Sequence, residues 1–307
     1  MDNKPYFTII LPTYNRINYL KEAINSVRKQ TFTNWILHVV DNSSNDGTSD
    51  YLCELIKQEQ RIKFSTINNN GIIAVSRNFG LKKVNTKAVS FLDDDDIWFE
   101  NKLTEDFSIL KSQDCLTYSR FYIFSDKKKI IKSLPIRDIP KINPIYDLLH
   151  YGNIFTTSSV SYVINAFTKD ILFDESINYR TWEDYDFWIK LIQIGKLKPV
   201  NTKKYGGKYR ISDYQNSSYS QDILNNKTIS FHYKKKYELY NLVTIDGSPL
   251  WCHYSNISSY IFNNCFRKSI ISLVNACIIS LITFDFLFFI KSITKFIFLF
   301  LKTLKSR

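Results

Sequence analysis

Four consecutive aspartates, Asp93 to Asp96, are the residues of this 307-residue chain whose type and spacing speak most directly of chemistry. Adjacent carboxylates repel one another, and a divalent cation, which prefers oxygen ligands, is the usual way to hold them together. The plainer reading is a solvated acidic turn in which Asp96 caps the helix leading towards Leu103. Position weighs against it, because the run follows directly on Val89-Ser-Phe-Leu92, an apolar stretch with the pattern of a central strand. A second acidic pair, Asp41 and Asp46, lies in Val39-Val-Asp-Asn-Ser-Ser-Asn-Asp-Gly-Thr48. An aspartate closing a strand can accept hydrogen bonds from a ribose or a base edge. For Asp46, an Asx turn with Gly47 and a Thr48 or Ser49 cap explains as much. Trp182-Glu-Asp-Tyr-Asp-Phe-Trp188 sets Glu183 and Asp184 among aromatics at a helix start. Asp184, Trp188 and Leu191 share a helical face, so Asp184 points where the apolar side packs, either as a general base with a raised pKa or as a carboxylate placed on the helix dipole. Arg77, near the Asn68–Gly71 turn, faces a phosphate or simply solvent.

The elements that must position these groups alternate. Apolar runs at Phe7–Leu11, Trp35–Val40, Ile62–Ile67 and Ala88–Leu92 are separated by helical spacing through Leu20, Ile24 and Val27, from about Ser49 to Gln58, and from Ile73 to Val84. This is a βαβαβαβ reading, hence an α/β fold with a parallel sheet covered on both faces. In such a sheet ligands bind beyond the carboxyl ends of the strands. The four strand ends carry Pro12-Thr-Tyr-Asn-Arg16, Asp41 to Gly47, Asn68 to Gly71 and the aspartate run, which should converge on one edge. Further on, Leu116–Phe124 and Val160–Ile164 read as strands, Pro135 to Pro144 as a loop-rich segment, Trp182–Ile194 as a helix and Gly206–Ser220 as a mobile loop.

Composition excludes several classes. With 44% hydrophobic residues, 8 Gly and 7 Pro, the chain is neither disordered nor collagen-like. Its five cysteines are scattered, without C-x-x-C, which implies neither a disulfide framework nor a zinc ribbon and fits a reducing, cytosolic setting. The first residues lack the pattern of a secretory signal. There is no G-x-x-x-x-G-K-[ST], G-x-G-x-x-G, H-E-x-x-H or G-x-S-x-G, and the four histidines are isolated.

Taken in order, Thr8-Ile-Ile-Leu-Pro-Thr-Tyr-Asn-Arg16, Val39 to Thr48, Asn70-Gly71 with Arg77-Asn78, Phe91-Leu-Asp-Asp-Asp-Asp-Ile-Trp98 and Glu183-Asp184 resemble family 2 glycosyltransferases of the GT-A fold, over roughly residues 6 to 215. The resemblance implies an inverting transferase using a nucleotide-diphospho-sugar, a UDP-sugar in first place, with Mn²⁺ or Mg²⁺. By the same resemblance Pro12, Thr13, Tyr14 and Asp41 hold the nucleoside. Asn15, Arg16, Asn70, Arg77 and Asp94 complete the donor side, Asp93 approaches the ribose, and Asp95 binds the metal on the diphosphate. The family's D-x-D fits as Asp93/Asp95 or as Asp94/Asp96. Asp184 is the implied base, with Glu183 as the alternate, and Tyr209-Arg210 with Ser217-Ser218 looks like the loop that closes over the diphosphate. On this reading residues 1–220 form the catalytic domain, with a nucleotide-binding half to residue 100 and an acceptor-binding half after it, and 221–307 a helical region.

The net charge is +12, and the end of the chain is its most basic part: from Cys265 to Arg307 there are seven cations against Asp285 alone. Phe and Ile dominate between them, which favours an anionic membrane surface over nucleic acid. Between Lys268 and Asp285 lie 16 uncharged residues, several polar, so there is no clean span of about 20 apolar residues. At about 100° per residue Lys291, Lys295 and Lys302 share one side of a helix, which predicts a segment over 266–307 lying in the membrane interface with its lysines on acidic head groups. A helix packed on the catalytic domain is the other reading. These features together describe a peripheral enzyme on the cytoplasmic face of a bacterial inner membrane, acting on a glycan or lipid-linked acceptor in surface polysaccharide biosynthesis. Two rivals remain: an aspartyl phosphotransferase, which would want its D-x-D after the first strand, and a non-catalytic membrane-associated scaffold on the same fold.

Overall fold

The computed structural model describes residues 4–127, 130, 132–176, 182–211, 219–246, 248–262 and 265–305, the side chains at 219–225, 227, 236–237, 262 and 302–305 excepted. The chain forms two compact units, one of residues 1–144 and 154–213, the other of 145–153 and 214–307.

In the first unit β1 (Phe7–Thr13) is buried along its whole length, which is why its sequence is a continuous apolar run. β2 (Trp35–Asp41) and β3 (Ile62–Thr66) extend the sheet on one side and β4 (Ala88–Phe91) on the other, all parallel. They are joined by α1 (Ile17–Arg28), α2 (Thr48–Gln58) and α3 (Ile73–Leu81). The chain steps from β1 to β2 to β3 and then doubles back past β1 to β4. Right-handed crossovers therefore put α1 and α2 on one face and α3 on the other. Side-chain alternation agrees. Phe7, Ile9 and Leu11 share a core with Leu20, Ile24 and Val27 of α1 and Leu52 of α2, whereas Ile10 meets α3 at Gly80. A Cβ on Gly80 would lie 2.7 Å from Ile10 Cγ2, so only glycine lets α3 come this close.

The reversal creates a switch point between β1 and β4, the place where open α/β sheets bind ligands. Register brings the strand ends together there. Thr13 stands beside Asp41, which stands beside Thr66. Phe91 pairs with Ile10, so the aspartates that follow β4 run on beside the end of β1.

The remaining elements are β5 (Ile97–Trp98), α4 (Lys102–Leu110), β6 (Cys115–Phe124), β7 (Lys132–Ser133), α5 (Pro144–Tyr151), β8 (Ser161–Val163), α6 (Glu183–Gln193) and β9 (Lys198–Arg210). The sheet runs β3-β2-β1-β4-β8-β6-β9-β5, with β7 on β6. Its second half is mixed: β8 is antiparallel to β4 and β6, while β9 is parallel to β6 and antiparallel to β5. Two expectations need correction. Asp96 caps nothing, since α4 starts after Asn101. Gly206 to Arg210 is not loop but the end of β9, where Gly207 lies between Trp98 and Phe121 and a Cβ on it would come within 2.9 Å of the Phe121 ring. Residues 212–218, with Ser217 and Ser218, fall outside the described residues.

The second unit contains the body of α5 with α7 (Tyr219–Leu239), α8 (Leu250–Phe262), α9 (Phe266–Ile282) and α10 (Phe286–Lys305). Leu250, Ala276 and Ile279 form its core, with Tyr151, Val243, Ile245 and Phe288 packed around them. The lysine stripe expected on α10 holds only in part: Lys291 is exposed, but Lys295 turns inward, its amine donating to Tyr254 O at 2.7 Å over the Tyr254 ring, and burial lowers its pKa to about 8. α10 also shows solvent an apolar face of Phe286, Leu287, Ile290, Ile297, Phe298 and Leu301. The side chain of Lys302 is outside the description. Among the described residues no helix is long and apolar enough to cross a membrane.

Candidate active site

The aspartate run leaves β4 as a tight turn whose carboxylates alternate in exposure. Asp93 and Asp95 keep 25% and 18% of their side-chain surface, whereas Asp94 keeps 9% and Asp96 is buried. Asp94 accepts from Thr13 Oγ1 at 2.8 Å and from Arg16 at 3.3 Å, and Arg16 also reaches Asp95 at 2.9 Å. Asp96 accepts the Arg210 backbone N–H at 2.9 Å, and the Asp93 N–H donates to Ser158 Oγ at 3.0 Å. Burial pushes Asp94 up to about 6 against the pull of Thr13 and Arg16. Burial and the neighbouring carboxylates likewise raise Asp95 and Asp96. Three of the four acids are thus held above the ordinary carboxylate range, by burial first and by one another second.

Arg77 is the centre of the second group. It is 3% exposed, so it is not a surface arginine. Its guanidinium reaches Asp93 at 2.9 Å with one amine and Glu183 at 2.7 Å with the other, and lies against the Phe173 ring. Burial lowers its pKa, but Asp93, Glu183 and Asp184 more than offset this and leave it raised. α6 begins at Glu183, and its apolar side, Phe187, Trp188 and Leu191, is fully buried and fixes the helix against Phe91 and Phe173. The half-buried Asp184 accepts from the Tyr185 N–H at 2.6 Å. Burial, then Glu183, lift its carboxyl to about 7, with Arg77 opposing and Asp93 adding. A carboxyl whose pKa is raised to near neutrality has the proton affinity that general-base chemistry calls for.

A cleft of about 360 Å³ opens at the switch point, lined by Pro12, Thr13, Tyr14, Arg16 and Asp94 as expected. Tyr14 is among the few exposed aromatics of this unit. Other expected residues shape the cleft from behind. Asp41 is fully buried and accepts from the Ser44 N–H and hydroxyl. Asn15 takes a left-handed backbone, receives the Asn45 N–H at 2.8 Å and donates its own N–H to Ser44, tying the first loop to the second. Asp46 closes an Asx turn on Thr48 and accepts the first N–H of α1, from Ile17, at 2.9 Å. Asn70 forms the left-handed corner beside Gly71 and is exposed; its neighbour Asn69 is the one that lines the cleft. Asn69 is held by Asn42 Oδ1 and by the Ser76 hydroxyl, each at 2.8 Å. Asn42, Asn69, Ser76 and Ser158 were not foreseen. The first two stand one residue from foreseen positions, while Ser76 and Ser158 belong to no pattern and are recruited only by folding.

Tyr209 and Arg210, expected in a closing loop, are strand residues. Arg210 is buried, donates to Asp95 O at 2.9 Å and pairs with Glu22 at 2.6 Å and with Asp126. It braces the aspartate turn from beneath. Burial and the aspartates raise the Tyr209 phenol. Among the described residues no three His, Cys, Asp or Glu side chains converge as a complete metal cage, and all five cysteines are free.

Comparison with known proteins gives this geometry a lineage. The chain is 28% identical over 212 residues to the Escherichia coli UDP-Glc:alpha-D-GlcNAc-diphosphoundecaprenol beta-1,3-glucosyltransferase WfgD, covering 69% of this chain and 79% of that one. Other relatives are much longer: the chain spans 36% of one from Rickettsia conorii and 44% of one from Bacillus subtilis. Its fold is that of Staphylococcus aureus TarS 1-349, solved in complex with UDP-GlcNAc (TM-score 0.54, 17% identity, 87% of this chain and 89% of that one). It is also that of the Pyrobaculum calidifontis mannosyltransferase PcManGT, solved with GDP-Man and Mn²⁺ (TM-score 0.56, 14% identity, 89% and 75%). These are GT-A glycosyltransferases. The model of the family described as "Glycosyl transferase family 2" matches residues 8–172, from the start of β1 through the aspartate run and past β8, so the chain belongs to glycosyl transferase family 2.

Proposed function

We propose that the chain is an inverting, metal-dependent hexosyltransferase that moves a sugar from a nucleotide-diphospho-sugar to a hydroxyl of a glycan or lipid-linked acceptor in surface polysaccharide biosynthesis. The observation that carries this reading is the Arg77 bridge. One buried guanidinium holds Asp93, at the head of the aspartate run, together with Glu183, the neighbour of the base candidate. Donor and acceptor chemistry are thereby fixed within one network.

The residues have distinct parts to play. Tyr14, exposed at the cleft, suits stacking on a nucleobase, and Pro12 and Thr13 form the floor beneath it. Asp93 faces the ribose, and Asp95 is the carboxylate for Mn²⁺ or Mg²⁺; the greater exposure of this pair supports its register over Asp94/Asp96. The fit is chemical: such ions take oxygen ligands, need only one or two protein carboxylates when a diphosphate supplies more, and would favour the charged form of Asp95, whose pKa burial and then Asp93 raise. Asp95 would hold such a cation where it would supply positive charge to the leaving diphosphate. Asp184 accepts the proton of the acceptor hydroxyl as its oxygen bonds to the anomeric carbon and the bond to the nucleoside diphosphate breaks. Attack opposite the leaving group inverts that carbon.

UDP is favoured by the named donor of WfgD and by the UDP-GlcNAc in TarS, while the GDP-Man of PcManGT keeps GDP as the alternative. The outward apolar face of α10 supports a peripheral site on the cytoplasmic leaflet of a bacterial inner membrane. The test is thermal melting with UDP, GDP, dTDP or CMP, each with Mn²⁺ or with EDTA. At about 100 times its Kd a ligand adds about 2.7 kcal/mol, a shift of a few degrees. One nucleotide should raise the midpoint in Mn²⁺ and lose that effect in EDTA. No shift with any of them would leave only the scaffold reading.

A further inference from the structure

The helical unit holds a cavity of its own, of about 550 Å³, lined by parts of α7, α8 and α9. Its charged groups are Lys234, Lys268 and Asp246, and its imidazole, His253, donates from Nε2 to Ile245 O at 3.1 Å and has its pKa lowered by burial. Four polar side chains at its wall are more than nine-tenths buried: Ser230, His253 and Ser272, each 5% exposed, and Asn256, 8% exposed. Asn256 Oδ1 accepts from Asn226 at 2.8 Å, which leaves its amide nitrogen, like the Ser272 hydroxyl, available at the cavity wall. Donors at the wall of a cavity can serve an acceptor that enters it.

On α9 the cavity residues Lys268, Ile271, Ser272 and Asn275 follow helical spacing and make one face. The adjoining face is the exposed stripe Ile270, Ile271, Val274, Ile278, Leu281 and Ile282. Ile271 belongs to both. A polar, net-positive cavity thus opens at its edge onto a continuous apolar surface, which is the shape of an amphiphile with an anionic head. We propose that the cavity binds the phosphate headgroup of a membrane lipid whose chain lies along the α9 stripe. Lys234 and Lys268 neutralise the phosphate, and Ser272 and Asn256 donate to its oxygens. The proposal rests on the membrane reading of this unit and adds a specific headgroup site to it.

The test uses the full chain and phosphatidylcholine vesicles, plain or carrying a long-chain isoprenyl alcohol, the corresponding isoprenyl phosphate, or phosphatidylglycerol. Cosedimentation should favour at least one phosphate-bearing additive over the alcohol, and the favoured vesicle names the lipid. Lys234→Ala with Lys268→Ala should weaken that preference about tenfold. Arg267→Ala with Lys291→Ala, the same charge change on exposed residues outside the cavity, should leave it. Asn275→Phe, which fills the cavity without changing charge, should remove it and serves if the double alanine variant does not fold. Equal binding to every vesicle overturns the headgroup site while leaving the membrane reading intact. Binding to none overturns both. Equal losses in the two double variants reduce the preference to unspecific charge, and displacement by inorganic phosphate at equal concentration assigns the cavity to a free anion; either result overturns the lipid site.

Discussion

Arg77 is the residue on which most of the site depends, and its substitution tests the arrangement directly. Arg77→Met keeps the bulk but leaves the buried Glu183 and the partly exposed Asp93 without this partner, which should cost about 3 kcal/mol and most of the activity. Equilibrium unfolding in urea measures the first and donor turnover the second. Asp184→Asn should behave differently. Transfer should fall by about 10²–10⁴-fold while donor binding is kept, since only the proton acceptor is lost. Its folded-state pKa, about 7, lies above the ordinary 3.8. The folded chain therefore holds a proton more tightly than the unfolded one between these values, and stability declines as pH rises through 7. At pH 8 the Asn variant should melt higher than the wild type, and wild-type kcat/KM should rise about tenfold per pH unit below 7 and level off above it. Sequence spacing was enough to nominate Asp184 and the aspartates, because a polar residue after an apolar run is a local signal. It could not reveal that Arg77 is buried, that Asp41 turns inward or that Asn69 rather than Asn70 meets the cleft, since those depend on which neighbour folding brings alongside.

At the level of elements, the first four strands and three helices were legible because each apolar run sits between polar turns and each helix carries its apolar face at regular spacing. β9 was not. Its sequence, Lys198 to Arg210, is rich in Lys and Tyr and contains two adjacent glycines, the signature of a loop. The glycines are there for closeness instead, and their neighbours on β5 and β6 lie far away in sequence. Gly80 makes the same point in a helix. Gly80→Ala should push α3 off Ile10 and cost about 1–3 kcal/mol by overpacking, against the gain alanine normally brings to a helix. A companion Ile10→Val should recover part of it, and a double-mutant cycle on melting midpoints would measure how much.

Across the whole molecule, charge and hydrophobicity near the end of the chain pointed to a surface, but much of what α10 shows to solvent is phenylalanine, leucine and isoleucine beside an exposed Lys291, with Lys295 turned inward. Periodicity locates a stripe on a helix but not the direction it faces, which α8 decides by taking Lys295. Ile290→Ser with Phe298→Ser removes apolar area from that face and should lower binding of the full chain to anionic vesicles about tenfold or more, with donor affinity unchanged. The outward face also changes how the enzyme would count its acceptor. A catalyst resting in a plane meets lipid-borne molecules by lateral diffusion, so its saturation follows their number per unit of area and not their number per litre. Adding inert lipid at a fixed amount of acceptor should then slow the reaction in proportion, although nothing in the bulk solution has been diluted.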